Sequence, residues 1–488
     1  MTSIAMRPHR LLIPPASVRL RMSLNDRPVM SREQLMRLNA RVISMTSADT
    51  VMVRMVHTAR VITHVANDRI LGGDDGSELE LDIYTKFGAR AGIAVETNQF
   101  SDSTLRDLVG RCETLARLQA GGAEELQYSW DEQDHYLPVA LWHDTTVRAM
   151  TNTRETAVSE IVDNVAAHGF RASGFIGLMA RSQSVFWKYE KISAFGEETD
   201  CEVNVTARTV DGKGSGWAGQ AARDWSKIDC PKIAKEAAHI AMMNQGAKAL
   251  EPGRRTAILS AAAVAQMTRH FAKQLEARET DGGSTGFSKT PQGGNKLGQR
   301  VFDSRIHMSS DPMDPEGGYL NYFGDGYAEP KMTWVENGVL KNLSYDVIGA
   351  MSKGKIYSGT PHSLRIGGGP SSIDAMIAAC PDGIYVNRLS SVDVIDKSTG
   401  LMTGVTRDGC FLVRNGKIDR PVKNFRFRDS PFFALNKLKE LGATSRAPFG
   451  FTPEGHDEEY GGEWPRRPMI VPPMMVEDFN FSSLADAV

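Results

Sequence analysis

RIGGGPSSIDAMIAACPDGIYVNRLSSVDVIDKSTGLMTGVTRDGCFLVRNGKIDRPVKNFRF, residues 365–427, is the stretch on which the fold reading turns. The triplet Gly367, Gly368, Gly369 breaks the chain. A short helix is expected after it, with Ile373, Met376, Ile377 and Cys380 on one face. Strand-like runs follow over 383–389, 391–395 and 410–414. Asp408-Gly409 and Asn415-Gly416 are strong hairpin signals, because a tight primed turn needs residues that tolerate positive φ. The stretch reads as a meandering, mostly antiparallel sheet.

Working outward, the same signals recur. An Asn337-Gly338 turn is expected to pair strands at 331–336 and 340–345. A short strand over 255–259 precedes a long helix over 262–278 and a Gly-rich loop over 281–298. A last helix over 430–441 leads into a Pro- and Gly-rich tail. Toward the N-terminus, 31–43 reads as an amphipathic helix with Ser31 and Gln34 at capping-box spacing. Strands are expected over 50–57, 60–66, 78–87 and 91–97, with a turn at 72–76. A helix follows to about Leu118, then a polar loop over 121–136 and a helix over 152–169. Strands over 174–181, 185–193 and 199–208, a turn at 211–216 and a helix over 231–245 complete this half.

The expectation is an α+β fold in two domains, with mostly antiparallel mixed sheets and flanking helices. The domain boundaries fall at 1–30 (a basic leader), 31–250, 251–445 and 446–488 (the tail), with Glu251-Pro252-Gly253 as the linker. The 488 residues are 41% hydrophobic and 24% charged, so the chain can bury a core. A net charge of −2 gives no pull toward nucleic acid or anionic membrane. The longest small apolar run, 261–265, is far short of the roughly 20 residues a span needs. Arg7, Arg10, Arg19 and Arg21 precede any acid, while Pro14-Pro15 interrupts a signal-peptide core. Five scattered cysteines without a CxxC pair suit a reducing, cytoplasmic setting.

No catalytic set declares itself from residue spacing. None of the eleven histidines is followed by Glu, which excludes HExxH. Glu236 and His239 share a helix face, and His57 and His64 lie on neighbouring runs, but no third ligand accompanies either pair. Residues 282–286 match GxSxG literally, yet a helix rather than a strand is expected before them, against a nucleophile elbow. Asp311, Asp314 and Glu316 crowd one loop without EF-hand spacing.

Several segments, taken in order, resemble the TldD/PmbA family. They are VITHVANDRI (61–70), GFRASGF (169–175), LEPGR (250–254), KLGQRVFDSRIHMSSDPMDP (296–315), KMTWVENGVLKNLSYD (331–346) and DKSTGLMTGVTRDGCFLVRNGKIDRPVKNFRF (396–427). The likeness runs over residues 31–445. It implies two α+β domains, dimeric assembly around a cavity, and hydrolysis of unfolded peptides or trimming of peptide precursors. In this family a TldD-type subunit holds zinc through HExxxH and a distal Cys, and pairs with a TldE/PmbA-type subunit lacking both.

Where HExxxH would fall, this sequence has Arg269, His270 and then Gln274 at the last motif position. One imidazole without a Glu base cannot hold a peptidase zinc or activate its water. No Cys follows Gly442, and Cys380 and Cys410 sit in contexts that suit buried thiols. The resemblance therefore implies a TldE/PmbA-type subunit with no metal or cofactor of its own. Zinc is expected in a TldD-like partner, and the ligand is an unfolded or precursor peptide. Two alternatives remain. One is a stand-alone hydrolase or tailoring enzyme using His270, His307 or His362; the other is a homodimeric peptide-binding protein.

Overall fold

The computed structural model describes residues 27–88, 90–118, 136–188, 192–290, 292–449 and 467–485. The basic leader to residue 26, most of the 121–136 loop and residues 450–466 lie outside this set.

The first half is one six-stranded antiparallel sheet with helices against it. Its strands are β1 (Thr50–Ala66), β2 (Arg69–Phe87), β3 (Arg90–Thr97), β4 (Phe170–Trp187), β5 (Ser193–Thr209) and β6 (Ser215–Ala222). They lie in the order β3-β2-β1-β4-β5-β6. The helix Arg32–Met45 starts as expected, with Ser31 and Gln34 completing a capping box. Helices Asp102–Leu118 and Cys230–Met243 bury their apolar stripes on the sheet.

The strands are longer than the sequence suggests. The runs at 50–57 and 60–66 are one strand, and two of the three runs between 174 and 208 merge into β4 and its turn. The expected turn at 72–76 lies inside β2. The reversal is instead at Asn67 and Asp68, with φ of 49° and 66°, the backbone a primed turn requires.

In the second half, strands Gly253–Leu259, Met474–Leu484, Phe425–Asp429, Leu401–Arg414 and Asp382–Asp396 each bond to the next, and the last returns to the first. Closure leaves these strands no long free edge within the ring. Phe425, Phe427, Phe479 and Phe481 are buried in its core and pack on one another with tilted rings. The expected tail is thus partly a central strand, Met474–Leu484. A second sheet includes strands Met308–Ser310, Met332–Glu336, Leu364–Ile366 and Met469–Val471.

Three further expectations need correction. Asp408-Gly409 is no hairpin turn: with φ of 52° and 127° it lies within the strand Leu401–Arg414, opposite a shift in register at Val386/Arg388. The true reversal is at 397–400, where Asp396 accepts the Ser398 N–H and Gly400 takes φ 65°. Asn415-Gly416 and Asn337-Gly338 do form tight turns. The helix expected over 430–441 is a single turn, Pro431–Ala434; Leu438–Leu441 pairs with the last strand instead.

The long helix expected over 262–278 is broken into Ala261–Thr268, Phe271–Gln274 and Ala277–Asp281. Thr268 Oγ1 donates back to the Val264 carbonyl at 2.8 Å, a bond that bends helices. Glu276 is extended, and its neighbours Leu275 and Ala277 exchange backbone bonds with Ser344.

Candidate functional site

The residues expected at the degenerate motif position, Arg269, His270 and Gln274, lie at the break in that helix. Arg269 caps the first piece and His270 precedes the second. Arg269 Nη2 donates to the Val392 carbonyl at 3.0 Å, and its Nε donates to His270 Nε2 at 3.2 Å. The His270 ring is 2% exposed. Burial, helped by the charges of Arg269 and Lys273, holds its pKa down at about 3, so it is neutral.

Gln274 is buried and committed at both ends of its amide. Its Oε1 accepts the Gly286 N–H at 2.7 Å, and its Nε2 donates to the Lys397 carbonyl at 3.2 Å. The GxSxG match belongs to this same packing. A Cβ on Gly286 would lie 2.3 Å from the Phe432 ring, and Phe432 meets Phe271 and Phe287 edge-on and stacks on Phe302. A divalent zinc does not fit here: a guanidinium occupies the ligand edge of the imidazole, and an amide replaces the second ligand.

His307 and His362 lie elsewhere and have different partners. His307 is exposed, and its Nδ1 accepts the Asn337 N–H of the hairpin turn at 3.5 Å. His362 contacts the Glu329 carboxylate through Nδ1. Among the described residues no three of His, Cys, Asp and Glu stand as a metal-binding group. Cys380 and Cys410 are buried, as their context suggested, and burial pushes the Cys410 thiol up to about 12.

The structure also shows groups that sequence reasoning missed. β5 carries Glu198, Asp200, Glu202 and Asn204 on one face, alternating with Cys201, Val203 and Val205, and both faces are buried. Residues 200–205 alternate polar and apolar, which normally marks a solvent-facing strand side. Here arginines cover that side. Glu198 pairs with Arg181 and with Arg223, the latter at 2.9 Å, and Arg446 from the second half pairs with Asp200. Burial pushes the Glu198 carboxyl up, but Arg181 and Arg223 outweigh it and hold it at about 2.

The same boundary is bridged elsewhere. Asn387 Nδ2 donates to the Trp217 carbonyl at 2.8 Å, Trp187 Nε1 to the Asp325 carbonyl at 2.6 Å, and Tyr322 Oη to the Gln183 carbonyl at 2.9 Å. The two halves thus pack as one body through polar contacts spread along β4, β5 and β6.

Residues 252–483 match the model of the PmbA/TldA metallopeptidase C-terminal domain. No curated protein matches the sequence. Among solved structures, the chain is similar to a proposed modulator of a DNA gyrase from Thermotoga maritima, with TM-score 0.77, 14% identity, and 91% of this chain and 99% of that one covered. It is similar to TldE from Thermococcus kodakarensis, with TM-score 0.74, 15% identity, and the same 91% and 99% covered. A proposed modulator of DNA gyrase from Bacteroides thetaiotaomicron gives TM-score 0.73 and 15% identity over 93% and 100%. At such identities these structures show the fold, over 91% to 93% of this chain.

Proposed function

The chain belongs to the TldD/PmbA family of metallopeptidases, and on that premise we propose that it is the subunit that carries no zinc. A TldD-like partner supplies the metal, the activated water and the general base. This chain completes a chamber and presents unfolded or precursor peptides to that partner. One observation carries the reading: at the zinc-motif position His270 is buried, neutral and bonded by Arg269, while Gln274 has both ends of its amide engaged.

The backbone supplies places for an extended peptide. Among the described residues, the sheet order places β3 at an end, beside β2, where an extended peptide could add a strand. Ile93 and Val95 are exposed on it, at alternate positions. Among the described residues no helix is long and apolar enough to cross a membrane.

The test is metal analysis of the purified chain beside a peptide-cleavage assay. Substoichiometric zinc and no cleavage are expected. One zinc per chain with cleavage would show a stand-alone hydrolase instead.

A further inference from the structure

Two arginines stand opposite each other where the five-strand ring meets the first half. Arg388 of the strand Asp382–Asp396 is the direct cross-strand partner of Arg407 of the strand Leu401–Arg414. Like charges so placed destabilise an antiparallel pair. The carboxylate they share does not use up their donors. Asp408 is buried, and its Oδ2 lies 3.5 Å from Arg388 Nη1 and 3.8 Å from Arg407 Nε. Both distances lie outside the usual range of an N–H···O bond, about 2.7–3.2 Å. Among the described residues neither guanidinium makes a shorter polar contact.

The pair is held in place and still reaches solvent. Arg388 lies over the Trp217 ring, 5.0 Å from the guanidinium carbon to the centroid, a placement that leaves N–H groups at the edge of the fork free. Asn387 Nδ2 donates to the Trp217 carbonyl at 2.8 Å and to the Asp408 carbonyl at 3.0 Å. It thereby ties β6 to both arginine-bearing strands. The side chains of Arg388 and Arg407 are 15% and 35% exposed.

The charge balance says what the site lacks. Burial is the main influence lowering the Arg388 pKa; Asp408 and Glu202 oppose it, while Arg407 and Arg208 of β5 add to it. Arg208 is half-buried, and the Glu202 carboxylate already accepts from Asn204 Nδ2 and the Phe449 N–H. Three guanidiniums against two carboxylates leave one positive charge. A monoanion balances it, whereas a phosphate dianion would reverse it. Both paired nitrogens stand near the same Asp408 oxygen, so the two forks are close enough for one carboxylate to place an oxygen on each.

We propose that Arg388 and Arg407, with Arg208 behind them, bind a carboxylate group of a peptide. Each of the two forks donates to one carboxylate oxygen, and Arg208 adds its field. The carboxylate belongs either to the peptide C-terminus or to an acidic side chain. This rests on the peptide-handling role proposed above and adds a specificity element to it: the site recognises the peptide by one negative charge.

The test is fluorescence anisotropy of decapeptides labelled at the N-terminus, on the full-length chain at neutral pH. Three peptides share one sequence free of Asp and Glu: one with a free C-terminus, one amidated there, and one amidated with a central Glu. A carboxylate-bearing peptide should bind about tenfold more tightly than the neutral one, the increment of one charge-assisted contact. Tight binding of the first alone identifies the C-terminus, and tight binding of the third identifies an acidic side chain. The preference should fall below about twofold in Arg388→Gln and in Arg407→Gln, the second being the more exposed and so the milder for folding. Arg208→Gln should lower it in part. Arg37→Gln, which removes an exposed charge on the helix Arg32–Met45, should leave it unchanged. Circular dichroism confirms that each variant is folded. Equal binding of all three peptides, a preference that survives in a folded Arg407→Gln chain, or one lost as fully in Arg37→Gln, overturns the inference and leaves the peptide-handling role standing. No binding of any peptide overturns both.

Discussion

Gln274 Oε1 accepts the backbone N–H of Gly286 at 2.7 Å, and the other end of the same amide donates to the Lys397 carbonyl. One side chain thereby fastens the Gly-rich segment after the broken helix to the turn between two strands of the five-strand ring. Gln274, which the family resemblance places at the last motif position, is a structural clasp.

Truncating that clasp should be costly. Gln274→Ala leaves the buried Gly286 N–H without its acceptor, at about 1–3 kcal/mol, while the Lys397 carbonyl keeps the Gly400 N–H. Urea unfolding of the full chain should show a clear fall in midpoint. Gln274→Glu keeps the acceptor for Gly286 but turns an oxygen on the Lys397 carbonyl, so it should restore little. A midpoint unchanged in Gln274→Ala would mean that the clasp is not formed in solution.

Arg446 and Asp200 join the halves from residues far apart in sequence, with both side chains under a tenth exposed. Removing one member of a buried pair strands the other, at about 3–5 kcal/mol. Asp200→Ala should destabilise on that scale, and Arg446→Ala by less, because Arg223 Nη1 stands 3.8 Å from the Asp200 carboxylate and still faces it. The double variant should be far less damaged than the sum, because it leaves neither charge behind. Strict additivity in the double-mutant cycle would show that the two do not meet.

Gly409 lies where the ring touches the first half. Its φ is 127°, and a Cβ there would come within 2.8 Å of Ile240 Cγ2 and 3.0 Å of Asn387 Cβ. Gly409→Ala should cost about 1–3 kcal/mol, part backbone strain and part displaced packing. Gly212 offers a control. It too has a positive φ, of 70°, but nothing lies within 4 Å of an added Cβ, so Gly212→Ala should report the backbone cost alone. Equal losses in the two variants would remove the packing argument.

Acid should weaken the fold in a defined window. Burial holds His270 at about 3 and His57 at about 4, while His57 Nδ1 accepts the Met30 N–H at 2.8 Å. In the unfolded chain both imidazoles titrate near 6.5. The unfolded state therefore binds more protons below that pH, so this stability is complete above about 6.5 and declines as pH falls toward 4 and 3. Glu198 acts in the same direction lower down, from its unfolded value of 4.5 to about 2. Thermal midpoints between pH 8 and pH 4 should fall as acid is added, and less steeply in His270→Gln. A midpoint independent of pH across that range would contradict the buried, neutral imidazoles.

Much of the fold was readable in the residues, and the limits have physical causes. The capping box at Ser31 and the Asn-Gly turns at 337 and 415 are local chemistry, and they form as read. Asp408-Gly409 has the same composition but lies between two halves of a strand whose partners hold it in register, so it becomes an irregularity in the strand. Residues 430–441 have helical spacing, yet pairing with the C-terminal strand outweighs that preference after one turn. At the site, the departure from a zinc motif was visible in Arg269, His270 and Gln274. The partners of Gln274 were not, because Gly286 and Lys397 reach it only through tertiary packing. Glu329 gave no local sign of its imidazole partner, which lies 33 residues away in sequence.

The central claim is that this chain works beside a zinc-bearing subunit. Its most direct test is co-expression with a TldD-like chain encoded in the same genome, followed by purification on a tag carried by this chain alone. The account predicts a stable complex with one zinc per heterodimer and cleavage of unfolded peptide that stops on chelation and returns with zinc. A chain that purifies alone, or a complex whose zinc stays with this chain once the subunits are separated, would contradict it.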